Sequence, residues 1–390
     1  MNWWQKLKKN GLAQFGALLL LVFYITVVGA DFVAPYSPYE QQPNGGLLPP
    51  TQIYWRNQEG QFIGPHVYPT TLGPVDRKTG DRLLKEDKDN PAPVGLFVKG
   101  PEYYLFQIVL PVPAEGSWTL VRLGRIPILW PNKWKGLEIF PGIPCDRHLF
   151  GSTTGEATVN VLGTDDQARD QFSRLVHGGR ISLFIGLVGI TISFPLGMIV
   201  GGISGYFGGF IDTILMRFVE VLMTIPGIYL LVALAAVLPA GLSSTQRFIL
   251  IVMITSFVSW AGLARVIRGQ VLSIKQQEFV QAARTMGAKP FYIIIRHVLP
   301  QTASYIVISA TLSVPGFILA ESVLSLIGLG IQQPDPSWGN MLALATNASI
   351  LVLHPWLVWP PALMIILTVL SFNLLGDGLR DALDPRSLQR

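Results

Sequence analysis

Six stretches of this chain are too long and too apolar to fold as anything but membrane-spanning helices. They lie near residues 12–33, 181–204, 213–238, 247–267, 302–328 and 355–375. A hydrocarbon core about 30 Å thick needs roughly 20 apolar helical residues. Lipid offers no partner to a backbone N–H or C=O, so a helix, which satisfies both internally, is what such runs permit. Composition agrees: 50% of residues are hydrophobic, 14% are charged and the mean hydropathy is +0.43, whereas about a quarter of the residues of a soluble protein are charged. The expected fold class is an all-α polytopic membrane protein with six transmembrane helices.

Charge sets the orientation. Lys6, Lys8 and Lys9 precede the first run, and Arg265, Arg268, Lys275, Arg284, Lys289 and Arg296 lie between the fourth and fifth. Loops rich in Lys and Arg stay in the cytoplasm. Six crossings then return Arg380, Arg386 and Arg390 to the same side, so both termini are expected in the cytoplasm. Residues 12–33 resemble a signal peptide in having a basic lead, but the apolar run exceeds the usual 7–15 residues and no small-x-small site follows it. The net charge of +5 sits beside apolar runs, which suits anionic lipid and carries no nucleic-acid motif. Cys145 is the sole cysteine, and His66, His148, His177, His297 and His354 lack ligand spacing, so neither a disulfide nor a metal site is expected.

The second run is dense in small residues, Gly186, Gly189, Gly197, Gly201, Gly202 and Gly205. Small residues let helix backbones approach closely where lipid supplies no hydrophobic drive, so this helix is expected to pack on its neighbours. Pro195, Pro226-Gly227 and Pro315-Gly316 mark bends, which suit either a gated pathway or a static bundle. Residues 34–165 are different: they hold 17 of the 29 prolines, with twelve Lys/Arg against thirteen Asp/Glu. Strand-like pieces at 103–110 and 118–123, with Trp118, Trp130, Trp134, Tyr103 and Tyr104, predict an irregular β-rich extracytoplasmic insert with a modest core. It reads as a packed spacer or as a docking surface for a soluble binding protein.

Between the fourth and fifth runs, Phe279, Ala282, Ala283 and Met286 recur at i, i+3, i+4 and i+7, with Glu278, Gln281, Arg284 and Thr285 between them. That spacing predicts an amphipathic helix over 278–287, three turns or about 15 Å long. Gly287 suits the residue just past a helix end, and Pro290 prevents continuation. So short a helix needs support by packing, either in a groove on another protein or flat on the membrane surface.

Ala282-Ala283, three residues, Gly287, then Leu299-Pro300 resembles the cytoplasmic EAA loop of permease subunits of binding-protein-dependent ABC importers. Gly163–Asp170, Asp212–Arg217, Arg268–Leu272, Gly328–Gln332, Pro336–Asn340 and Asn373–Arg386 are similar to the dipeptide/oligopeptide/nickel branch of that family. The resemblance implies a type I importer core over 181–377 with a coupling loop at 275–300, preceded by a cytoplasmic start and first helix (1–33), the insert (34–165) and an amphipathic lead-in (166–180), and followed by a cytoplasmic tail (378–390). It implies Glu278, Phe279, Gln281, Ala282, Ala283, Met286, Gly287, Leu299 and Pro300 as ATPase-coupling residues. The implied partners are a second permease, two ATP-binding cassette subunits and an extracytoplasmic solute-binding protein, in a bacterial plasma membrane. Gln281 stands where the family has Glu, Ala168 where it has Gly, and Gln301 where it has Asn.

Glu321 falls about 28 Å along the fifth run, at the outer edge of the hydrocarbon, and reads as an interfacial group or, with Pro315 and Gly316, as part of a gate. Arg217 and Glu220 can pair on one helix face, and Trp356 and Trp359 are expected as interface anchors. No phosphate-binding loop of the form G-x-x-x-x-G-K-[ST] occurs, nor any set of catalytic residues on identifiable loops. A non-catalytic permease powered by ATP and magnesium in its partners, with peptides as the leading cargo and nickel or another small solute as the alternative, is therefore the expected function. An ion-gradient transporter predicts a midplane site rich in ionisable groups, which the second to fourth runs lack. A membrane anchor with a receptor domain would purify without an ATPase.

Overall fold

The computed structural model describes residues 3–43, 45–75, 82–114, 118–123, 126–131, 134–155, 157–238 and 242–383. Eight helices carry the argument: α1 (Gly11–Val28), α2 (Gln171–Phe207), α3 (Gly209–Thr224), α4 (Gly227–Ala236), α5 (Ser244–Ile274), α6 (Glu278–Thr285), α7 (Ala303–Leu326) and α8 (Trp359–Leu383). α1, α2, α5, α7 and α8 are each long and apolar enough to cross a membrane. The third expected span is not one straight helix. α3 and α4 meet at an 85° bend, because Pro226 has no N–H to donate and holds Ile225 extended at φ −83°, ψ 125°. Counting the bent pair once gives six spans.

Helix ends follow local chemistry. The carboxylate of Asp170 accepts the Ser173 N–H at 2.7 Å and its hydroxyl at 2.6 Å, an N-cap that starts α2 ten residues before the expected span. The lead-in is therefore the first turns of α2 itself. Ser243 and Gln246 form a reciprocal capping box at the start of α5. Before α7, residues 290–302 are already helical but pass through a π turn at Ile294–Val298 and a 3₁₀ turn at Leu299–Thr302, as Pro300 removes a backbone donor there.

The contacts of the chain divide it into two units. The first comprises Met1–Leu21, Leu183–Leu324 and Ile365–Arg390. Its organising feature is a glycine seam. A Cβ on Gly197 would meet the Trp260 carbonyl at 3.0 Å, one on Gly201 the Ala264 carbonyl at 2.4 Å, and one on Gly205 the Arg268 carbonyl at 2.8 Å. α2 and α5 thus touch backbone to backbone, as the i, i+4, i+8 spacing predicts. Gly186 and Gly189 differ in kind: they make room for the side chains of Val314 and Phe317 of α7, which an added Cβ would meet at 2.5 Å.

The second unit comprises Val22–Ser182 and Ser325–Met364. Its strands are β1 (Tyr54–Arg56), β2 (Phe62–Val67), β3 (Thr70–Val75), β4 (Arg82–Glu86), β5 (Ala92–Leu105), β6 (Ile108–Pro113), β7 (Trp118–Leu123), β8 (Ile126–Pro131), β9 (Trp134–Phe140) and β10 (Ile143–Ser152). β1, β2, β5 and β10 make an antiparallel sheet, and β3–β4, β6–β9 and β7–β8 pair as ribbons. The expected strand 103–110 is two strands, broken where Phe106 takes φ +60°. Val67, Ala92, Ala157 and Val159 form the core, with Val94 and Phe150 against it. Tyr104 is exposed, so it does not serve the core assigned to it. The side chains of Trp118, Trp130 and Trp134 lie outside the described residues, as do residues 384–390, including Arg386 and Arg390.

Gly163–Asp170 folds into a buried ionic knot. Asp165 accepts from Arg169 Nε at 2.8 Å and pairs with Arg174 Nε at 3.3 Å, with all three side chains almost fully buried. Arg174 also donates to Gln333 Oε1 at 2.8 Å and to the carbonyls of Pro38 and Pro334. Removing one partner from such a group costs about 3–5 kcal/mol, since a buried charge is left uncompensated.

Candidate functional site

α5 ends at Ile274, and three residues later α6 begins, so the 275–300 loop is built on the end of a long rigid helix. α6 has eight residues, about 12 Å, shorter than the expected 278–287. Glu278 in its first turn and Arg284 in its last match the helix dipole. It ends in a Schellman motif: Gly287 N–H donates to the Arg284 carbonyl at 3.0 Å and Ala288 N–H to the Ala283 carbonyl at 3.1 Å. Gly287 has φ +82°, and a Cβ there would meet nothing within 4 Å. Its need for glycine is conformational, since an L side chain is strained at that φ. Pro290 then takes the first position of the next helical turn, where its missing N–H costs nothing.

The structure corrects the expected apolar face. Val280 and Ala283 are 2% and 3% exposed, packed in a cluster with Ile267, Val271, Ile293 and Val298. Phe279 and Met286 are 40% and 81% exposed, and Ala282 and Gly287 are exposed beside them. α6 thus carries two apolar stripes, an anchor at 280 and 283 and an open one at 279, 282 and 286. Sequence periodicity joined parts of both, because Ala283 and Ala282 adjoin on the helix surface and Val280 was left out. Burying a Val-sized side chain is worth about 1.5–3 kcal/mol, which helps explain how so short a helix persists. Leu299 packs at the edge of the same cluster, while Pro300 is exposed.

Gln281 Nε2 donates to the Lys275 carbonyl at 2.7 Å. An ionised Glu has no proton to give there, so the departure from the family pattern has a local physical reason. Lys275 Nζ donates to the carbonyls of Gly205 at 2.7 Å and Tyr206 at 3.3 Å, at the C-terminal end of α2. Nearby, Arg268 grips Asp212 through Nε and Nη2, both at 2.5 Å. In the sequence Lys275 served only to set orientation and Asp212 only to open a family-like stretch; neither was assigned a contact, for which the available signal was charge at the edges of apolar runs. A cleft of about 400 Å³ beside α6 is lined by Tyr206, Phe207, Lys275, Gln276, Gln281 and Arg284, among others.

The second group of candidates, Pro315, Gly316 and Glu321, sits in differing surroundings on α7. Gly316 lines a cavity of about 460 Å³ with residues of α4, α5 and α7 such as Gly227, Thr255, Ser259 and Phe317, and no ionisable residue lines it among the described residues. Pro315 is buried beside it. Glu321 is fully buried and does not line the cavity. Arg217 pairs with Glu220 at 3.3 Å on an exposed face, in keeping with local neutralisation.

Residues 193–389 match the family of the binding-protein-dependent transport system inner membrane component. The chain belongs to this family. Residues 2–50 match the N-terminal TM domain of oligopeptide transport permease C. Among relatives of this permease, the dipeptide transport system permease protein DppC of Bacillus subtilis (strain 168) is 46% identical over 352 residues, 90% of this chain and 98% of its own. The oligopeptide transport system permease protein OppC of Haemophilus influenzae is 43% identical over 241 residues, 62% of this chain and 75% of its own. That of Bacillus subtilis is 42% identical over 225 residues, 58% and 71% of the two chains.

Proposed function

We propose that this chain is the permease subunit of an ATP-driven peptide importer and forms half of a translocation pathway. It works with a second permease, two ATPase subunits that bind ATP and magnesium, and an extracytoplasmic solute-binding protein. Family membership and the names of its relatives support the permease role and make peptides the leading cargo. The basic flanks support a reading in which both termini and the 275–300 loop lie in the cytoplasm of a bacterium and the 34–165 insert lies outside the plasma membrane.

The observation that carries the coupling role is the two-sidedness of α6. Val280 and Ala283 fix it to the bundle, while Phe279, Ala282 and Met286 remain open, as a helix docked in another protein's groove requires. In this reading Glu278 and Gln281 flank the contact, and Gly287, Leu299 and Pro300 fix the direction of the loop. ATP-driven closure of the partners shifts the bundle between inward-open and outward-open states, which requires each state to bind α6 differently. Changing Cys145 to Ser and Met286 to Cys gives a single reactive thiol on the open stripe. Cross-links from it are expected to capture an ATPase subunit; capture of lipid alone would sink the proposal.

A gradient-driven transporter finds one point in its favour, the broken helix at Pro226. The adjoining cavity counts against a proton-coupled form of it, since a proton site needs an ionisable group and the described lining has hydroxyls but no such group.

A further inference from the structure

A displacement of α6 reaches α5 directly, through the short link at 275–277, but α2 and α3 only through lateral contacts. α2 passes into α3 at Gly208 and Gly209, whose φ values are +67° and +56°, a joint that resists bending poorly because it lacks side chains to block rotation. Three charged groups brace that joint against α5. Lys275 Nζ donates to the carbonyls of Gly205 and Tyr206, acceptors that a helix C-terminus leaves unpaired and whose dipole favours a cation. Arg268 holds Asp212 by a two-pronged grip at 2.5 Å. The Ser204 hydroxyl donates to the same Asp212 oxygen, so one carboxylate in the first turn of α3 ties the end of α2 to the middle of α5.

A lone exposed ion pair is worth about 0–1 kcal/mol. This one differs: Asp212 and Arg268 side chains are 15% and 33% exposed, the guanidinium fork fixes direction as well as distance, and a hydroxyl completes the carboxylate shell. Gln281 links the brace to the coupling helix, because it donates to the carbonyl of the same Lys275.

We infer that Asp212, Arg268 and Lys275 are positioning residues that make the α2–α3 joint follow α5, so that a stroke received at α6 is delivered to both arms of the bundle. The inference rests on the reading of α6 as the ATPase contact. Without the brace the glycine joint would flex, and α3 would follow α5 less closely.

The test uses the assembled transporter, permease pair with both ATPases and the solute-binding protein, in proteoliposomes. Nitroxide labels at Ile214→Cys on α3 and Val266→Cys on α5, in a Cys145→Ser background, report their separation before and after trapping with ATP and vanadate. The distance is expected to stay constant in the otherwise unaltered protein and to shift or broaden on trapping in Asp212→Asn and Arg268→Gln. Uptake of tritiated trialanine per ATP hydrolysed is expected to fall about fivefold or more in those variants, with hydrolysis retained. The exchanged pair, Asp212→Arg with Arg268→Asp, should recover both readouts. A separation that changes in the unaltered protein, or single variants whose separation stays constant on trapping, would overturn the inference. Where a single variant fails to assemble, Lys275→Met, which leaves the ion pair intact, decides: constant separation and full uptake per ATP refute the brace. Failure of the Met286→Cys cross-link to reach an ATPase would instead refute the underlying reading of α6.

Discussion

Gly201→Ala is the smallest change that tests whether α2 and α5 meet backbone to backbone. The added Cβ would stand 2.4 Å from the Ala264 carbonyl oxygen and 2.9 Å from the Ile267 Cβ. Ordinary contact begins near 3.4 Å, so the helices must part by about 1 Å, and a backbone oxygen cannot rotate aside. Parting there also loosens Gly197 and Gly205, which lie on the same seam. Overpacking of this kind costs about 1–3 kcal/mol. Alanine recovers up to about 1 kcal/mol as the better helix former. With backbone as the obstacle the upper part of the range applies, leaving a net loss of about 1–2 kcal/mol. Gly202→Ala is the internal control: its nearest neighbours are side-chain atoms at 3.4 Å or beyond, so it keeps the propensity gain without the clash. Thermal unfolding of the purified complex in detergent, followed by tryptophan fluorescence, should rank Gly202→Ala at or above the parent and Gly201→Ala clearly below. Equal midpoints for the two variants would refute the close-approach argument.

Ala168 has φ +61°, strained for a residue with a Cβ. Ala168→Gly should relieve about 1–2 kcal/mol of strain against up to about 1 kcal/mol of added chain entropy, for a net gain of up to about 1 kcal/mol in the same assay. Gly287→Val meets no steric obstacle but cannot hold φ +82° without strain; immunoblots should find it in the membrane while ATP-driven uptake falls severalfold. Gln281→Glu should lose its bond to the Lys275 carbonyl, about 0.5–1.5 kcal/mol, and speed hydrogen exchange across 278–287. Burial pushes the Asp170 carboxyl up to about 7, while its Oδ1 is buried without a hydrogen-bond partner. The folded protein therefore holds this proton more tightly than the unfolded chain, and the stability it contributes is full below about pH 4 and lost as pH rises through about 7. Asp170→Asn should flatten stability between those limits, read from unfolding midpoints across pH.

Much of the helical framework was legible because lipid is an unforgiving solvent: a 20-residue apolar run has few alternatives to a helix. The glycine seam was equally readable, since i, i+4, i+8 spacing at 197, 201 and 205 leaves one bare face. What escaped was decided by tertiary choice. Whether Pro226 bends a helix or breaks it depends on what surrounds the freed backbone groups. Which of two apolar stripes on α6 faces inward depends on Ile293 and Val298, reached only after the chain turns back at Gly287. The Asp212–Arg268 pair joins residues 56 apart, a distance at which local pattern says nothing. In the insert, Phe106 at positive φ split a strand that alternation alone would have kept whole.

The break at Pro226 has a consequence for what surrounds this protein. α3 stops at Thr224 with its final carbonyls beyond the reach of the N–H groups of α4, which departs at 85°. Oily acyl chains offer such oxygens no proton donor. Wherever that corner lies within the hydrocarbon, it must border water or another polypeptide, and lipid is then shut out from the elbow.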